Sequence, residues 1–282
     1  MEKVSIIMPC FNDGEYIRES INSALNQTYK NIELIIIDDG STDIKTINIL
    51  NSIRDKRIKV LKTKRLGPSG ARNEGIRNSN GKYILPLDSD DLIDKTYIEK
   101  AVNIMEERED VGIVYCKAEL FGEINGPWEL PKYDIKNMLV DNVIFVTSIF
   151  RKADWELVGG FDTDYIYGLE DYDFWLSILE LNKEVVQIQE VLFKYRIKQQ
   201  SRNKSFEDNE ENVKLTYEKL YRKHTRLYNK YYDEYIILLR NQLISERYKY
   251  RKIVNKFKKN PIIRILSKNR NIILKIKKIV LD

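Results

Sequence analysis

The chain has 282 residues, 48 Lys/Arg against 43 Asp/Glu for a formal net charge of +5, and 43% hydrophobic residues. That size and balance suit a globular chain with a real core, and argue against a disordered, fibrous or many-span membrane protein. Charge is uneven: residues 250–282 hold eleven Lys/Arg and one acid, so the body is mildly acidic, no nucleic-acid partner is expected, and the tail calls for a polyanion of its own.

In chain order, Val4–Met8 reads as a strand, Asn12-Asp13 as a cap for a helix from about Glu15 to Leu25, and Ile32–Ile37 as a strand apolar enough to be buried on both faces. Asp43 caps a helix to about Arg54, Ile58–Leu61 is a strand, and Ser69 precedes a helix to about Asn78. The strand Tyr83–Leu87 follows, then a helix capped by Asp94 and running to Glu107. This βαβα alternation predicts a doubly wound, mainly parallel sheet. Beyond the strand Val111–Tyr115 the pattern loosens into a surface loop, Gly122–Pro131. A strand at Val143–Phe150, a helix at Glu170–Leu181 and two strands, Val185–Ile188 and Val191–Ile197, complete the body. Cys10 and Cys116 lie in apolar strand contexts without CxxC spacing and read as reduced core thiols of a cytosolic protein. The single histidine, His224, sits in a charged, Tyr-rich helix and reads as a surface residue outside any chemistry. The amino terminus enters a strand at once, and no apolar run approaches bilayer length, so neither a signal peptide nor a span is expected.

Four motifs fall at strand ends. Pro9-Cys10-Phe11-Asn12 follows the first strand and Asp38-Asp39-Gly40-Ser41-Thr42-Asp43 the second. Gly67-Pro68-Ser69-Gly70-Ala71-Arg72-Asn73 leads to Asp88-Ser89-Asp90-Asp91, and Gly159-Gly160-Phe161-Asp162 precedes Glu170-Asp171-Tyr172-Asp173-Phe174-Trp175. Turns, helix caps and an amphipathic stripe account for each alone. Together they place acids where open α/β sheets bind ligands, and clustered carboxylates suit a hard cation.

On these motifs, residues 3–200 resemble a family 2 glycosyltransferase of the bacterial surface-polysaccharide type: an inverting enzyme with a GT-A (Rossmann-like) α/β sheet flanked by helices. The resemblance implies a nucleotide-sugar donor, uridine-linked, bound by Pro9, Phe11, Asn12, Asp38, Asp39, Arg72, Asp88 and Lys198. Phe11 would stack on the base and Asp39 accept its ring N–H, with Asp38 supporting Asp39 or the ribose. Arg72 would meet nucleotide or diphosphate oxygens. Asp90 would hold Mn²⁺ or Mg²⁺, with Asp88 on the ribose or on a metal-bound water; Asp91 could do either or simply lead into the helix. Asp171 would be the general base, with Glu170 orienting it or touching the sugar. One departure matters: Lys198 stands in Tyr195-Arg196-Ile197-Lys198 where many relatives carry a histidine near the metal. An ammonium cannot ligate a metal, but can pair with a diphosphate as a point charge.

The expected organisation is a GT-A domain over residues 1–205 and a basic helical extension over 206–282, broken near Asn260-Pro261. The expected acceptor is a glycan or a lipid-linked glycan. Residues 250–282 are read as contacting an anionic membrane surface, or as packing on the body or on a second copy of the chain; this places the enzyme in the cytoplasm, at the inner face of the membrane. Two rivals are a sugar-phosphate nucleotidyltransferase, which should carry a Gly-rich phosphate loop after the first strand, and an inactive nucleotide-binding or membrane-scaffold protein, which should have lost the metal or base positions.

Overall fold

The computed structural model describes residues 1–198 and 209–259. Four βα steps open the chain: β1 (Val4–Cys10), α1 (Ile17–Leu25), β2 (Ile32–Asp38), α2 (Ile44–Ser52), β3 (Ile58–Lys62), α3 (Gly67–Arg77), β4 (Tyr83–Pro86) and, after the short β5 (Leu92–Ile93), α4 (Tyr97–Glu107). β6 (Val111–Gly122), β7 (Gly126–Trp128), α5 (Ile135–Val140), β8 (Ile149–Arg151), α6 (Lys152–Val158), α7 (Glu170–Glu180) and β9 (Glu184–Ile197) follow. Three helices end the described chain: α8 (Glu210–Lys223), α9 (Thr225–Lys230) and α10 (Tyr232–Lys259).

The nine strands form one sheet in the order β3-β2-β1-β4-β8-β6-β9-β5, with β7 paired to β6. β3, β2, β1 and β4 run parallel, as does β9 beside β6, while β8 and β5 are antiparallel to their neighbours. The register sets Cys10 beside Asp38 and Ile7 beside Pro86. The carboxyl ends of β2, β1 and β4 therefore open on one edge, and every motif after those strands starts there. β1 and β2 are apolar and buried almost throughout, as strands covered on both faces must be. α3 packs so tightly on them that a Cβ at Gly75 would lie 2.6 Å from both Ile7 and Ile37 side chains.

Several local expectations need correction. Asn12-Asp13 does not cap α1, whose first helical residue is Ile17 and whose N-cap, Tyr16, makes no side-chain cap bond; the Asp13 carboxylate is engaged elsewhere. Asp43 does cap α2, accepting from the Lys45 and Thr46 N–H groups. Val143–Phe150 is a strand only from Ile149, because Asn142 and Ser148 side chains bond local backbone and turn the chain. The two expected strands after residue 184 are one: Gln189 and Glu190 bulge out between Ile188 and Val191, which pair with consecutive residues of β6. The supposed loop after Gly122 contains β7, whose Trp128 packs against Phe145 and Tyr195. His224 is 1% exposed, not a surface residue: its Nε2 lies 3.0 Å from Asp173 Oδ1 and its Nδ1 3.4 Å from Glu180.

The chain divides into two compact units, Met1–Lys230 and Tyr231–Asp282. In the second, α10 is a 28-residue helix; the expected break at Asn260-Pro261 and the basic stretch beyond it lie outside the described residues. Among the described residues no helix is long and apolar enough to cross a membrane. Both cysteines are free and buried, and burial pushes each thiol up to about 12, so neither supplies a thiolate.

Candidate active site

At the tip of β2 the two aspartates divide their labour. Asp38 Oδ1 accepts the Ser41 N–H, closing the turn through Gly40, whose φ is +79°. Asp39 reaches sideways into the β3–α3 loop, where Oδ1 accepts from Thr63 Oγ1 and Leu66 N, each at 2.6 Å, and Oδ2 from Gly67 N at 2.8 Å. A carboxylate oxygen has two lone pairs, so Oδ2 can take one further donor. The same loop carries Arg65 in a left-handed conformation (φ 55°) and lays its guanidinium over the Phe11 ring, 3.3 Å from the centroid. Asn12, also left-handed, spends its amide on Thr42 and Asp43 and thereby ties the β1 end to the β2–α2 turn. Pro9, half-buried, lies beside Ile37 in the sheet.

α3 links the remaining motifs. Arg72, 3% exposed, places Nη2 at 2.8 Å from Asp88 and Nη1 at 2.9 Å from Glu170. Burial works against its charge, and the two carboxylates more than restore it. The next residue, Asn73, grips the Gly159-Gly160-Phe161 turn through the Phe161 carbonyl and N–H and the Trp155 indole. Two adjacent side chains of one helix thus fix the β4 loop and the approach to α7.

In the β4 loop, Asp90 Oδ2 is 2.6 Å from the Lys198 ammonium, which is also 3.2 Å from Asp13 Oδ1. Asp13 Oδ2 in turn accepts from Ser89 Oγ at 2.6 Å. Asp91 is buried and accepts the Arg196 N–H, while Arg196 Nε donates to the Asp90 carbonyl and Nη2 pairs with Glu19. Burial, followed by the crowding of Asp90 and Asp88, pushes the Asp91 carboxyl well above the usual range. Asp13 and Arg196 are organising residues that sequence reading missed. Arg196 lay inside a quoted motif, but its role depends on a pairing between β9 and the β4 loop that no local pattern displays.

At the start of α7, Glu170 is committed to Arg72, whereas Asp171 is half-buried with Oδ2 3.2 Å from the neutral Asn142 amide. Burial, then the adjacent Glu170 charge, push the Asp171 carboxyl up to about 7, against the pull of Arg72. Asp173, two residues on, is fully buried, ion-paired with Lys223 at the end of α8 at 2.8 Å and 3.0 Å from Nε2 of the next residue, His224.

A divalent ion would need oxygens with lone pairs to spare. Asp88 is ion-paired with Arg72, Asp90 with Lys198, and Asp91 bonds backbone; among the described residues no group of three or more His, Cys, Asp or Glu is disposed around a common point. In this arrangement the expected Asp90/Asp88 pair does not fit a bound metal, since an ion there would sit against the ammonium.

Comparison with known proteins gives a consistent outcome. Residues 5–160 match the pattern of glycosyl transferase family 2. An uncharacterized glycosyltransferase of Haemophilus influenzae is 51% identical over 108 residues, 37% of this chain and 43% of that protein. The UDP-Glc:alpha-D-GlcNAc-diphosphoundecaprenol beta-1,3-glucosyltransferase WfgD of Escherichia coli is 33% identical over 202 residues, 70% of this chain and 78% of WfgD. The structure of S. aureus TarS 1-349 in complex with UDP superposes with a TM-score of 0.60 at 25% identity, covering 69% of this chain and 60% of that one. Several relatives are longer: the matched region spans 43% and 65% of two Haemophilus proteins.

Proposed function

Since the chain belongs to glycosyl transferase family 2, we propose that it transfers a sugar from a uridine diphosphate donor to an acceptor hydroxyl with inversion at the anomeric carbon. The observation that carries this reading is Asp171: a carboxyl held near 7 at a helix start, tied through Glu170 and Arg72 to the β4 carboxylates. A base is most effective when its pKa lies near working pH. Asp171 takes the acceptor hydroxyl proton as the oxygen bonds to the anomeric carbon. The bond from that carbon to the diphosphate breaks on the opposite face, and its electron pair leaves with the nucleoside diphosphate.

At the other end, the remaining lone pair of Asp39 Oδ2 suits a ring N–H of the base. Phe11 offers the stacking face that Arg65 now covers, so the guanidinium must slide aside or sandwich the base. Arg72 holds Asp88 in place beside the donor, and its guanidinium has N–H donors beyond those on Asp88 and Glu170 for a nucleotide or diphosphate oxygen. The Asp90 and Asp88 carboxylates expected to hold Mn²⁺ or Mg²⁺ are already paired with Lys198 and Arg72.

WfgD is named for a UDP-glucose donor and a diphosphoundecaprenol-linked acceptor, and a lipid-linked glycan is the acceptor we propose here. An anionic membrane surface remains the proposed partner of residues 250–282, on the cytoplasmic side, resting on their eleven basic residues. A second copy of the chain is proposed along α10, where Ile236, Leu239, Leu243, Tyr250, Ile253 and Phe257 recur at heptad spacing and are exposed. A sedimentation experiment that finds only monomer at micromolar concentration rejects that contact.

The decisive assay incubates a panel of nucleotide sugars with a diphosphoundecaprenol-linked sugar and determines the anomeric configuration of the product by NMR. Inversion is expected; a product with the donor's configuration defeats the single-displacement mechanism. In parallel, Asp39→Asn should weaken UDP binding by about one order of magnitude, the worth of a hydrogen bond to a charged group, as read by calorimetry.

A further inference from the structure

Building on the donor reading, the charge arrangement of the β4 loop points to how a departing diphosphate is neutralised. That leaving group needs positive charge close to its β-phosphate. Arg72 is buried and divided between Asp88 and Glu170, and Arg196 between the Asp90 carbonyl and Glu19. Lys198 differs. Its ammonium bridges Asp90 at 2.6 Å and Asp13 at 3.2 Å, lies 5.3 Å from the Tyr16 ring centroid, and ends a flexible stem just past β9. An ammonium has three donors, and among the described residues two are engaged, both on carboxylates. Asp13 is held in turn by Ser89, inside the β4 loop itself. The cation therefore has a constructed seat made from the β1 end, the β4 loop and the end of β9.

We propose that the Lys198 ammonium is the resident cation of the diphosphate site, seated on Asp90 and Asp13 and donating its third N–H to a β-phosphate oxygen when the donor enters. A divalent ion is then not required for donor binding. A lone flexible ammonium in water would contribute far less, because its attraction would be screened and its ordering cost paid at binding. During transfer the acceptor proton goes to Asp171 and the electron pair to the diphosphate, so Lys198 changes neither charge nor bonding and needs no co-reactant.

The test uses the full chain and UDP, with UMP as the control lacking the β-phosphate. Calorimetry is run in EDTA and again with Mn²⁺, while electron paramagnetic resonance follows bound Mn²⁺. Wild type should bind UDP equally in both conditions, without capturing Mn²⁺. Lys198→Met should lose UDP affinity about ten- to a hundredfold in EDTA, as expected for a hydrogen bond to a charged group, with UMP affinity unchanged. Lys198→His should bind UDP well only with Mn²⁺, and should immobilise Mn²⁺ in the spectrum. If wild type binds UDP only with Mn²⁺, or if Lys198→Met binds it in EDTA as tightly as wild type, the lysine proposal fails and the donor reading stands. If wild type binds neither UDP nor any other nucleoside diphosphate in either condition, both fail. The wild-type EDTA arm decides the matter even where a variant does not fold.

Discussion

The two acidic ends of this site solve opposite problems. In the β4 loop the exposed-edge carboxylates are quenched: Asp88 by Arg72 and Asp90 by Lys198, with Arg196 clamping the backbone between them. At the start of α7 Glu170 is paired with Arg72 and Asp173 with Lys223, while Asp171 faces the neutral amide of Asn142. Identical side chains thus acquire different chemistry from their neighbours: the first set organises charge and the second keeps one carboxyl near 7, ready to exchange a proton. Arg72 joins them, with one nitrogen on Asp88 and another on Glu170.

The sharpest break of this contrast is Asp171→Asn. The change keeps shape and the Asn142 neighbourhood but removes the proposed base, and should lower kcat by about two to four orders of magnitude while UDP affinity, read by calorimetry, stays unchanged. Equal losses in Asp90→Asn and Asp171→Asn, with UDP binding intact in both, would mean that the two ends are not distinct in role.

Next in size is Arg72→Met. Removing one partner of a buried ion pair typically costs about 3–5 kcal/mol, and Glu170, whose side chain is 7% exposed, loses its pairing with Arg72. Urea denaturation should show a loss toward the lower part of that range, because Asp88 is one-third exposed and can turn to solvent. The same variant should drive the Asp171 titration upward, since the Arg72 charge opposes its rise. A stable Arg72→Met protein with an unmoved pH profile would show that the two ends are not coupled through α3.

How much of this was legible in the sequence follows from the range of each interaction. The strands β1 to β4 and helices α1 to α4 carry strong apolar periodicity and showed themselves, as did the motifs at their ends. The short α5, α6 and β7 did not, having too few residues for a period to register. β9 looked like two strands because Gln189-Glu190 interrupts the apolar run, and only pairing with β6 reveals a bulge. His224 was misread because its helix looks solvated, while its partners Asp173 and Glu180 lie more than forty residues upstream. The same blindness hid Asp13, Arg196 and Asn142: each acts through a contact distant in the chain. Conversely, Arg72 and Asn73 were visible as a motif, but not as the hinge joining two others.

The smallest effect tests the α7 end from its neutral side. Asn142 donates to Asp171 Oδ2 at 3.2 Å and so favours the ionised form. The carboxyl is base-competent only when ionised, so kcat/KM should rise with pH through a limb near 7, where burial and Glu170 have placed it. Asn142→Ala removes a stabilising donor and admits little else, which moves the balance toward the protonated acid. One hydrogen bond is worth about 0.5–1.5 kcal/mol, and one pKa unit corresponds to about 1.36 kcal/mol. The limb should therefore move upward by roughly half a unit to one unit, with the high-pH plateau nearly unchanged. A lowered plateau with an unmoved limb would make Asn142 a contact to the acceptor rather than to the base. A limb moving downward would contradict the direction of that hydrogen bond and remove Asp171 as the titrating group, because losing a donor cannot make a carboxylate easier to ionise.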